Sequence, residues 1–284
     1  MIKFSSWLDE RYQYDVDARN KKVEQFCLHH FDNLQQINIV DVGSGTGSNF
    51  INLSAKFIQN QQWIFLEQDE SLISHSLERA KKVLTRSGYI IAQQNDQLIF
   101  KNGAQEITIQ TINGSLLDID KLINLRNTNL ITASAIFDLF STEQFALFSE
   151  QVHQEKVSVL STLNYTGMHF EPTIDADQQF IDLYNAHMKR KQSFGIGMGS
   201  DCYDVMNSYY EANKIATIHG DSTWDLDKNA QSMHAFLLAF MEESIAALSN
   251  CPTSLKEWIQ KKQEDSMHGD LKIIVDHGDT FTYY

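Results

Sequence analysis

From residue 37 onward the chain alternates short apolar runs with stretches of helical spacing. Residues 37–42 form an apolar run that ends in glycines, and residues 46–57 follow with Phe50, Leu53 and Phe57 spaced along one helix face. Residues 63–66 predict a second strand, and residues 70–86 predict a helix with Leu72, Ile73, Leu77, Ala80 and Leu84 on one side. Residues 89–112 read as an inserted β-hairpin, because Leu98-Ile99-Phe100 and the alternating Ile107, Ile109 and Ile112 flank an Asn102-Gly103 turn. Strands at 130–133 and 157–163, separated by a helix over 142–152, continue the alternation. Strands and helices in this rhythm imply parallel strands with crossover helices, hence an open, doubly wound, mostly parallel α/β sheet.

After residue 163 the pattern changes to helices over 175–191 and 200–212, a strand near 215–219, and helices over 228–247 and 253–264. Residues 271–275, a His277-Gly278-Asp279 turn and residues 280–284 predict a terminal strand pair. Residues 1–36 predict a helical preface. Only Pro172 and Pro252 occur, without any Ser/Gly-rich linker, so boundaries follow the rhythm of elements. That rhythm separates an N-terminal cap (1–36), an α/β core (37–163), a helical insertion (164–212) and the remainder of the sheet with its helices and terminal strands (213–284).

With 284 residues, 42% hydrophobic and 21% charged, the composition is that of a soluble globular protein, one large domain or one domain with a substantial insertion. The balance of 23 basic against 37 acidic residues, a net charge of −14, argues against a nucleic-acid partner, which needs a basic stripe to displace counterions. The Lys189-Arg190-Lys191 cluster is too short to reverse that. Cys27, Cys202 and Cys251 are odd in number and far apart, which favours buried thiols over a disulfide framework or a metal knuckle. The N-terminus lacks the apolar run of a signal peptide, and no stretch reaches 18 uncharged apolar residues, so the expectation is a cytoplasmic protein without membrane contact.

The strongest chemical signal is Val40-Asp41-Val42-Gly43-Ser44-Gly45-Thr46-Gly47-Ser48 at the first strand–helix junction. Glycines permit positive φ and close approach of backbone amides to a ligand, and a helix N-terminus favours electron-rich groups. Glu67 closes the second strand, where a carboxylate can accept both hydroxyls of a ribose. Together they predict a nucleoside-containing cofactor. A dinucleotide fingerprint would place its third glycine at position 48, but that residue is Ser48 and the third glycine is Gly47.

This form, apolar-Asp-x-Gly-x-Gly-x-Gly, resembles motif I of the class I S-adenosylmethionine-dependent methyltransferases, over residues 37–163 and the final strands. The resemblance implies a Rossmann-like, seven-stranded sheet, S-adenosyl-L-methionine as cofactor and S-adenosyl-L-homocysteine as product. It implies that Asp41 orients the loop or meets the methionyl ammonium group. Gly43, Ser44, Gly45 and Gly47 then clear space for the cofactor, and Glu67, beside Gln68, binds its ribose. The family's acidic-apolar pair after the third strand matches Ser115-Leu116, so the acid is missing and the Ser115 hydroxyl or Asp118 must serve the adenine. Residues 132–138, including Thr132, Ala133 and Asp138, resemble motif IV beside the reactive methyl. They lack an Asn/Asp-Pro-Pro-aromatic sequence, which disfavours amino methylation of DNA bases. A wider likeness, to a less characterised bacterial subgroup, rests on Trp7, Leu8, Tyr14, Asp15, Ala18 and Arg19, then on His187, Phe194, Gly195 and Gly199. It implies an acceptor region without an established substrate.

Several residues carry two readings. Arg19 either clamps the methionine carboxylate or an acidic substrate, or pairs with Asp15 four residues earlier. His187 either accepts a proton from a substrate hydroxyl or is structural, with Asp138 as the other candidate base. Asn164 and Tyr165 close the fifth strand, where ligands gather in open α/β sheets. Gly195, Gly197 and Gly199 suit a lid hinge better than a phosphate site. Phe170, Phe180, Tyr184 and Phe194 either line a pocket for a sulfonium cation or, at helical spacing, belong to the core. The resulting expectation is an S-adenosylmethionine-dependent methyltransferase acting at oxygen or nitrogen of a small-molecule acceptor. Tyr14, Asn164, Tyr165, Tyr184 and Phe194 would hold that acceptor, without a metal, in a monomer or homodimer. The rivals are a catalytically silent cofactor-binding scaffold, an RNA or protein methyltransferase, and a nicotinamide oxidoreductase, which Ser48 disfavours.

Overall fold

The computed structural model describes residues 4–94, 97–192 and 194–284. Residues 1–3 of the expected N-terminal cap, residues 95 and 96 of the expected hairpin, and residue 193 ahead of the Gly195 loop lie outside the described residues. Helices α1 (Phe4–Ala18) and α2 (Lys21–His30) precede β1 (Gln36–Val42). There follow α3 (Ser48–Ser54), β2 (Asn60–Glu67), α4 (Glu70–Arg86), and the strands β3 (Ile90–Gln94), β4 (Gln97–Asn102) and β5 (Gln105–Asn113). After a short α5 (Ile119–Leu122) come β6 (Leu130–Ser134), α6 (Thr142–Gln154), β7 (Ser158–Glu171) and α7 (Asp177–Met188). The two-residue strands β8 (Lys191–Gln192) and β9 (Gly195–Ile196) lead to α8 (Cys202–Ala212), β10 (Ala216–Leu226), α9 (Gln231–Ala246), α10 (Leu255–His268) and β11 (Lys272–Tyr283).

The main sheet has nine strands in the order β10-β11-β7-β6-β1-β2-β5-β4-β3. The pairs β5–β2, β2–β1, β1–β6 and β6–β7 are parallel, whereas β3–β4, β4–β5, β7–β11 and β10–β11 are antiparallel. The sheet is therefore mixed and nine-stranded, which corrects the expectation of a mostly parallel seven-stranded one. The physical reason is the hairpin around Asn102-Gly103: its second strand, β5, pairs parallel with β2, and its first, β4, pairs with β5 along Gln97–Asn102 and carries β3 beyond it, so the insertion extends the sheet edge instead of standing apart from it.

A second correction concerns the C-terminus. Residues 272–283 form one strand, not two strands around a His277-Gly278-Asp279 turn, because both halves pair with β7 and β10. Register shifts at Asp276/His277 and Gly278/Thr280 absorb the irregularity as bulges. Glycine at 278 serves close packing, since an added Cβ would collide with the Tyr203 ring. β7 likewise continues to Glu171, so residues 164–171, expected in the helical insertion, are strand.

Alternation along β1 builds the core on both faces of the sheet. Ile37 and Ile39 join a cluster with Phe50, Leu53 and Leu84 from α3 and α4. Val40 and Val42 point the other way, into a cluster with Phe145 and Phe148 of α6 and Met206 of α8. A third cluster holds Trp7, Phe170, Phe180, Trp224 and Trp258, at the β7–β11–β10 side. α4 illustrates the local logic: Asp69 caps it by accepting from the Ser71 amide at 2.8 Å, and Leu72, Ser76, Ala80 and Leu84 recur every fourth residue on its buried side. Among the described residues no helix is long and apolar enough to cross a membrane, and no cluster of potential metal ligands occurs.

Candidate active site

A cavity of about 490 Å³ opens beyond the carboxyl ends of β1, β2, β5 and β6, where crossover topology leaves a crevice in open α/β sheets. Its floor is the loop that follows β1, with Gly43, Gly45 and Gly47 at φ of 58°, 53° and 79°. At Gly45 the small residue serves a close approach, since a Cβ there would lie 3.3 Å from Leu8 Cδ1 of α1, which crosses the loop. From the far side Arg79 of α4 donates through Nη1 to the Thr46 carbonyl oxygen at 3.0 Å and to Thr46 Oγ1 at 2.6 Å. It also lies 3.2 Å from Asp9 of α1.

Glu67 ends β2 beside this loop. Its Oε2 accepts from the Gly45 amide at 3.0 Å, and its Oε1 accepts from the amides of Gln68 at 2.9 Å and Asp69 at 3.1 Å. The carboxylate is thus held at the cavity wall by backbone donors, in a fixed orientation.

Behind the loop lies a chain of buried polar groups. Asp41 Oδ1 accepts from Asn49 Nδ2 at 2.9 Å and from Thr132 Oγ1 at 2.7 Å, while Asp41 Oδ2 has no partner among the described residues. Burial pushes the Asp41 carboxyl up to about 6, against the lowering effect of the Asn49 and Thr132 hydrogen bonds and of Arg19. Arg19 Nη2 donates to Asn49 Oδ1, and Arg19 Nε and Nη1 are buried without partners among the described residues. Arg19 is 3% exposed, at the α1–α2 junction. Asp279 of β11 holds that junction by accepting from the Asn20 amide at 2.8 Å. Asn20 Oδ1 in turn caps α2 through the amides of Lys22 and Val23.

The other end of the cavity is aromatic with a charged centre. Trp7, Leu8, Arg11 and Asp15 line it from one face of α1. Arg11 Nε donates to both oxygens of Asp15, at 2.9 and 3.1 Å, and its guanidinium carbon lies 5.0 Å from the Trp224 ring centroid and 5.8 Å from that of Trp7. Trp7 stacks on Phe240 at 5.6 Å. Asp138 lies in the turn after β6 and is 7% exposed. Its Oδ1 is buried without a partner among the described residues, and burial pushes the carboxyl up to about 6, partly offset by Arg11 and nearby amides. His277 of β11 lines the same end and is held down to about 3, first by burial and then by the Arg11 charge, so its imidazole is neutral near pH 7.

The cavity brings together Gly43, Ser44, Gly45, Glu67, Gln68 and Leu116 at the loop end, and Asp138, Tyr165, Tyr184, His187 and Phe194 toward the other. Asp41, Thr132 and Arg19 stand one hydrogen bond or two behind the cavity-lining Asn49. Ala133 is buried in β6, and Gly47 sits at the N-cap of α3. The Ser115 hydroxyl accepts from the Leu117 amide at 3.2 Å, and Asp118 pairs with Lys121, so neither side chain lines the cavity. Tyr14 packs, partly buried, against the third core cluster. Asn164 is fully buried, donating to the Gly278 carbonyl oxygen at 2.9 Å and accepting from Ser161 Oγ at 2.8 Å. Phe170 and Phe180 pack against Trp258, at 5.4 and 4.6 Å. Asp15 pairs with Arg11, not with Arg19. The glycines at 195 and 199 adopt φ of 94° and 53°, in a loop tied back where the Ser141 amide donates to the Phe194 carbonyl oxygen.

His187 lines the cavity with its Nδ1 already engaged, 2.9 Å from Arg190 Nη1. An arginine only donates, so Nδ1 carries the lone pair and Nε2 the proton. Burial, reinforced by Arg190, lowers the pKa of His187. In this arrangement His187 can donate a hydrogen bond but has no vacant nitrogen with which to accept a proton. Arg11, Trp224, His277 and Asn49 have no counterpart among the sequence-derived candidates. Arg11 had a local signal, standing midway between Trp7 and Asp15 at spacings of four, whereas Trp224 and His277 arrive from strands far along the chain.

No protein-family model matches the chain, and no curated protein matches it either. Among solved structures it is similar to the YcgJ protein of Bacillus subtilis, with a TM-score of 0.50 and 10% identity, over 93% of this chain and 97% of that one. It is also similar to a Bacillus halodurans protein described as a candidate methyltransferase, with a TM-score of 0.51 and 10% identity, over 92% of this chain and 98% of that one. These likenesses show that the chain shares the α/β fold of those two proteins.

Proposed function

We propose that the cavity binds S-adenosylmethionine at the glycine loop and directs its methyl group to a small-molecule acceptor held at the aromatic end. The observation that carries this reading is Glu67, held at the cavity wall by the Gly45 amide beside the glycine loop. Behind the cavity-lining Asn49, two donor nitrogens of Arg19 and one oxygen of Asp41 lack partners among the described residues, and these paired buried charges favour a ligand with an amino-acid zwitterion at the loop end. Glu67, fixed across the loop, calls for the two hydroxyls of a ribose. S-adenosylmethionine joins an amino-acid zwitterion to a nucleoside, which a nicotinamide dinucleotide does not.

When bound, the cofactor supplies an electrophilic methyl group and leaves as a thioether. The chain's own residues must bind, orient and exclude water, which supply much of the catalysis in a displacement of this kind. α1 and α7 cover the acceptor end, and Asp138 is the base for an acceptor that must lose a proton at oxygen or nitrogen. The net charge of −14 and the concave cavity favour a small molecule over a nucleic acid.

The test is calorimetric titration with S-adenosylmethionine and S-adenosylhomocysteine, with NAD as control. Both sulfur nucleosides should bind saturably, and Glu67→Ala should weaken them by about 1–3 kcal/mol, because ribose hydroxyls lose their charged acceptor. Binding of NAD alone, or unchanged affinity in Glu67→Ala, overturns the cofactor assignment. His187→Ala should lower turnover by no more than about tenfold, less than the loss of a general base, because its Nδ1 is occupied. A loss as large as that of the Asp138 variant would transfer the base's role to His187.

A further inference from the structure

We propose that the acceptor is a small aromatic hydroxy-acid, whose carboxylate is bound by Arg11 and whose hydroxyl is the methylated group. The inference deepens the methyl-transfer reading and rests on it.

Arg11 is nearly buried, its side chain 12% exposed, and it lines the cavity. Asp15 takes only Nε, and among the described residues the two terminal amino groups have no hydrogen-bond partner. A guanidinium presents those groups as a planar fork that fits a carboxylate with two parallel hydrogen bonds. The walls around the fork are flat: Trp224 and Trp7 flank the guanidinium, and Phe240 continues the Trp7 stack. Rings of this kind receive a planar ligand by offset or edge contact.

The cavity lining carries two cations, Arg11 and Arg190, and three anions, Asp15, Glu67 and Asp138, while His277 and His187 add no charge at neutral pH. The positive charge of a sulfonium cofactor offsets that excess, and it is the open Arg11 fork that calls for a carboxylate on the acceptor. Asp138 supplies the remaining requirement, a buried carboxylate oxygen without a partner among the described residues, at the same end as Arg11. The acceptor's O–H bond breaks with its proton passing to Asp138 Oδ1. The oxygen's electron pair forms the new bond to the methyl carbon, and the pair of the broken C–S bond stays on sulfur. Asp138 then returns its proton to solvent, so no oxidant or reductant is needed.

The experiment titrates the intact protein with 2-, 3- and 4-hydroxybenzoate and with the corresponding hydroxybenzyl alcohols, following tryptophan fluorescence, with and without S-adenosylhomocysteine. At least one acid should bind about tenfold or more tightly than its alcohol, as expected for a buried ionic hydrogen-bonded pair. In Arg11→Met that preference should collapse to within about threefold, and Arg11→Lys should restore part of it. Incubation of the preferred acid with S-adenosylmethionine should yield the aryl methyl ether, the carboxylate remaining free. Equal affinity for acids and alcohols, a preference that survives Arg11→Met, or no binding of any acid while S-adenosylhomocysteine binds, overturns the acceptor class and leaves the cofactor reading intact. If the wild-type protein fails to bind S-adenosylhomocysteine, the cofactor reading falls, and the acid-against-alcohol comparison without it still decides the acceptor class. Formation of a methyl ester in place of the ether overturns the assignment of the hydroxyl as the methylated group.

Discussion

Asp138→Asn is expected to lower turnover by about 10²–10⁴-fold while leaving S-adenosylhomocysteine affinity within about twofold, the signature of a lost general base. The substitution keeps the side chain's size and removes its ability to take a proton. The groups facing Asp138 come from three helices and its own turn: Arg11 of α1, Tyr184 of α7, Cys202 of α8, and the backbone amides of Asp138 and Leu139. Burial outweighs Arg11 and raises the carboxyl to about 6. A base must be ionised to act, so activity should fall as pH drops through about 6 and level off above it. Asp41 is also raised to about 6 but stands at the cofactor end, so its titration should appear in cofactor affinity and vanish from turnover at saturating cofactor. Asp138→Asn should abolish the acid limb of turnover and leave the affinity profile unchanged. Stability supplies an independent control. An acid whose folded pKa lies above its unfolded value is least favourable to the fold when ionised, above about pH 6. The neutral amide should therefore leave the thermal midpoint at pH 7 equal to or above that of the wild type. A variant that keeps more than about a tenth of wild-type turnover, or one inactive only because it unfolds, contradicts the assignment.

The glycine loop and Glu67 are legible in the sequence because covalent order alone determines their relation: one residue string turns from strand to helix, and an acid closes the next strand. The two faces of the sheet are legible for a similar reason, since alternation along β1 assigns Ile37 and Ile39 to one side and Val40 and Val42 to the other. The acceptor end is not, because Arg11, Trp224 and His277 come from α1, β10 and β11 and meet only through tertiary packing. Trp7 and Asp15 stand out on α1, yet the residue between them at the same spacing does not, because an arginine on an amphipathic helix is ordinarily a solvated one. Arg19 shows the reverse. Its spacing to Asp15 invited a surface ion pair, and the junction held by Asp279 turns it inward to Asn49 instead. The sheet edges escape a linear reading because they depend on pairing partners: β4 adds to β5, and β11 runs through its bulges as one strand.

Asp177→Ala is expected to destabilise the fold by about 3–5 kcal/mol, read as a shift in urea unfolding, because it strands a buried ammonium. Lys262 has 0% side-chain exposure and Asp177 3%, with Lys262 Nζ donating to Asp177 Oδ2 at 2.8 Å. The same carboxylate accepts from Trp258 Nε1 at 2.8 Å and from the Ile174 amide at 2.9 Å. After truncation the ammonium keeps the Pro172 carbonyl oxygen at 3.4 Å and the face of Phe170, 4.5 Å from its centroid, and neither replaces a charge. Removing both charges together, in Asp177→Leu with Lys262→Met, should bring stability to within about 2 kcal/mol of wild type, since a buried pair recovers little beyond its own desolvation. The comparison bears on function because Asp177 begins α7, the helix that carries Tyr184 and His187 into the cavity. If the pair sets the register of α7 against α10, the double variant should fold yet bind the preferred hydroxybenzoate at least about fivefold more weakly, with S-adenosylhomocysteine affinity unchanged. If apolar packing of Phe180 on Trp258 already sets that register, both affinities should survive the loss of the charges. The pair would then be a cost of the fold with no part in placing the acceptor.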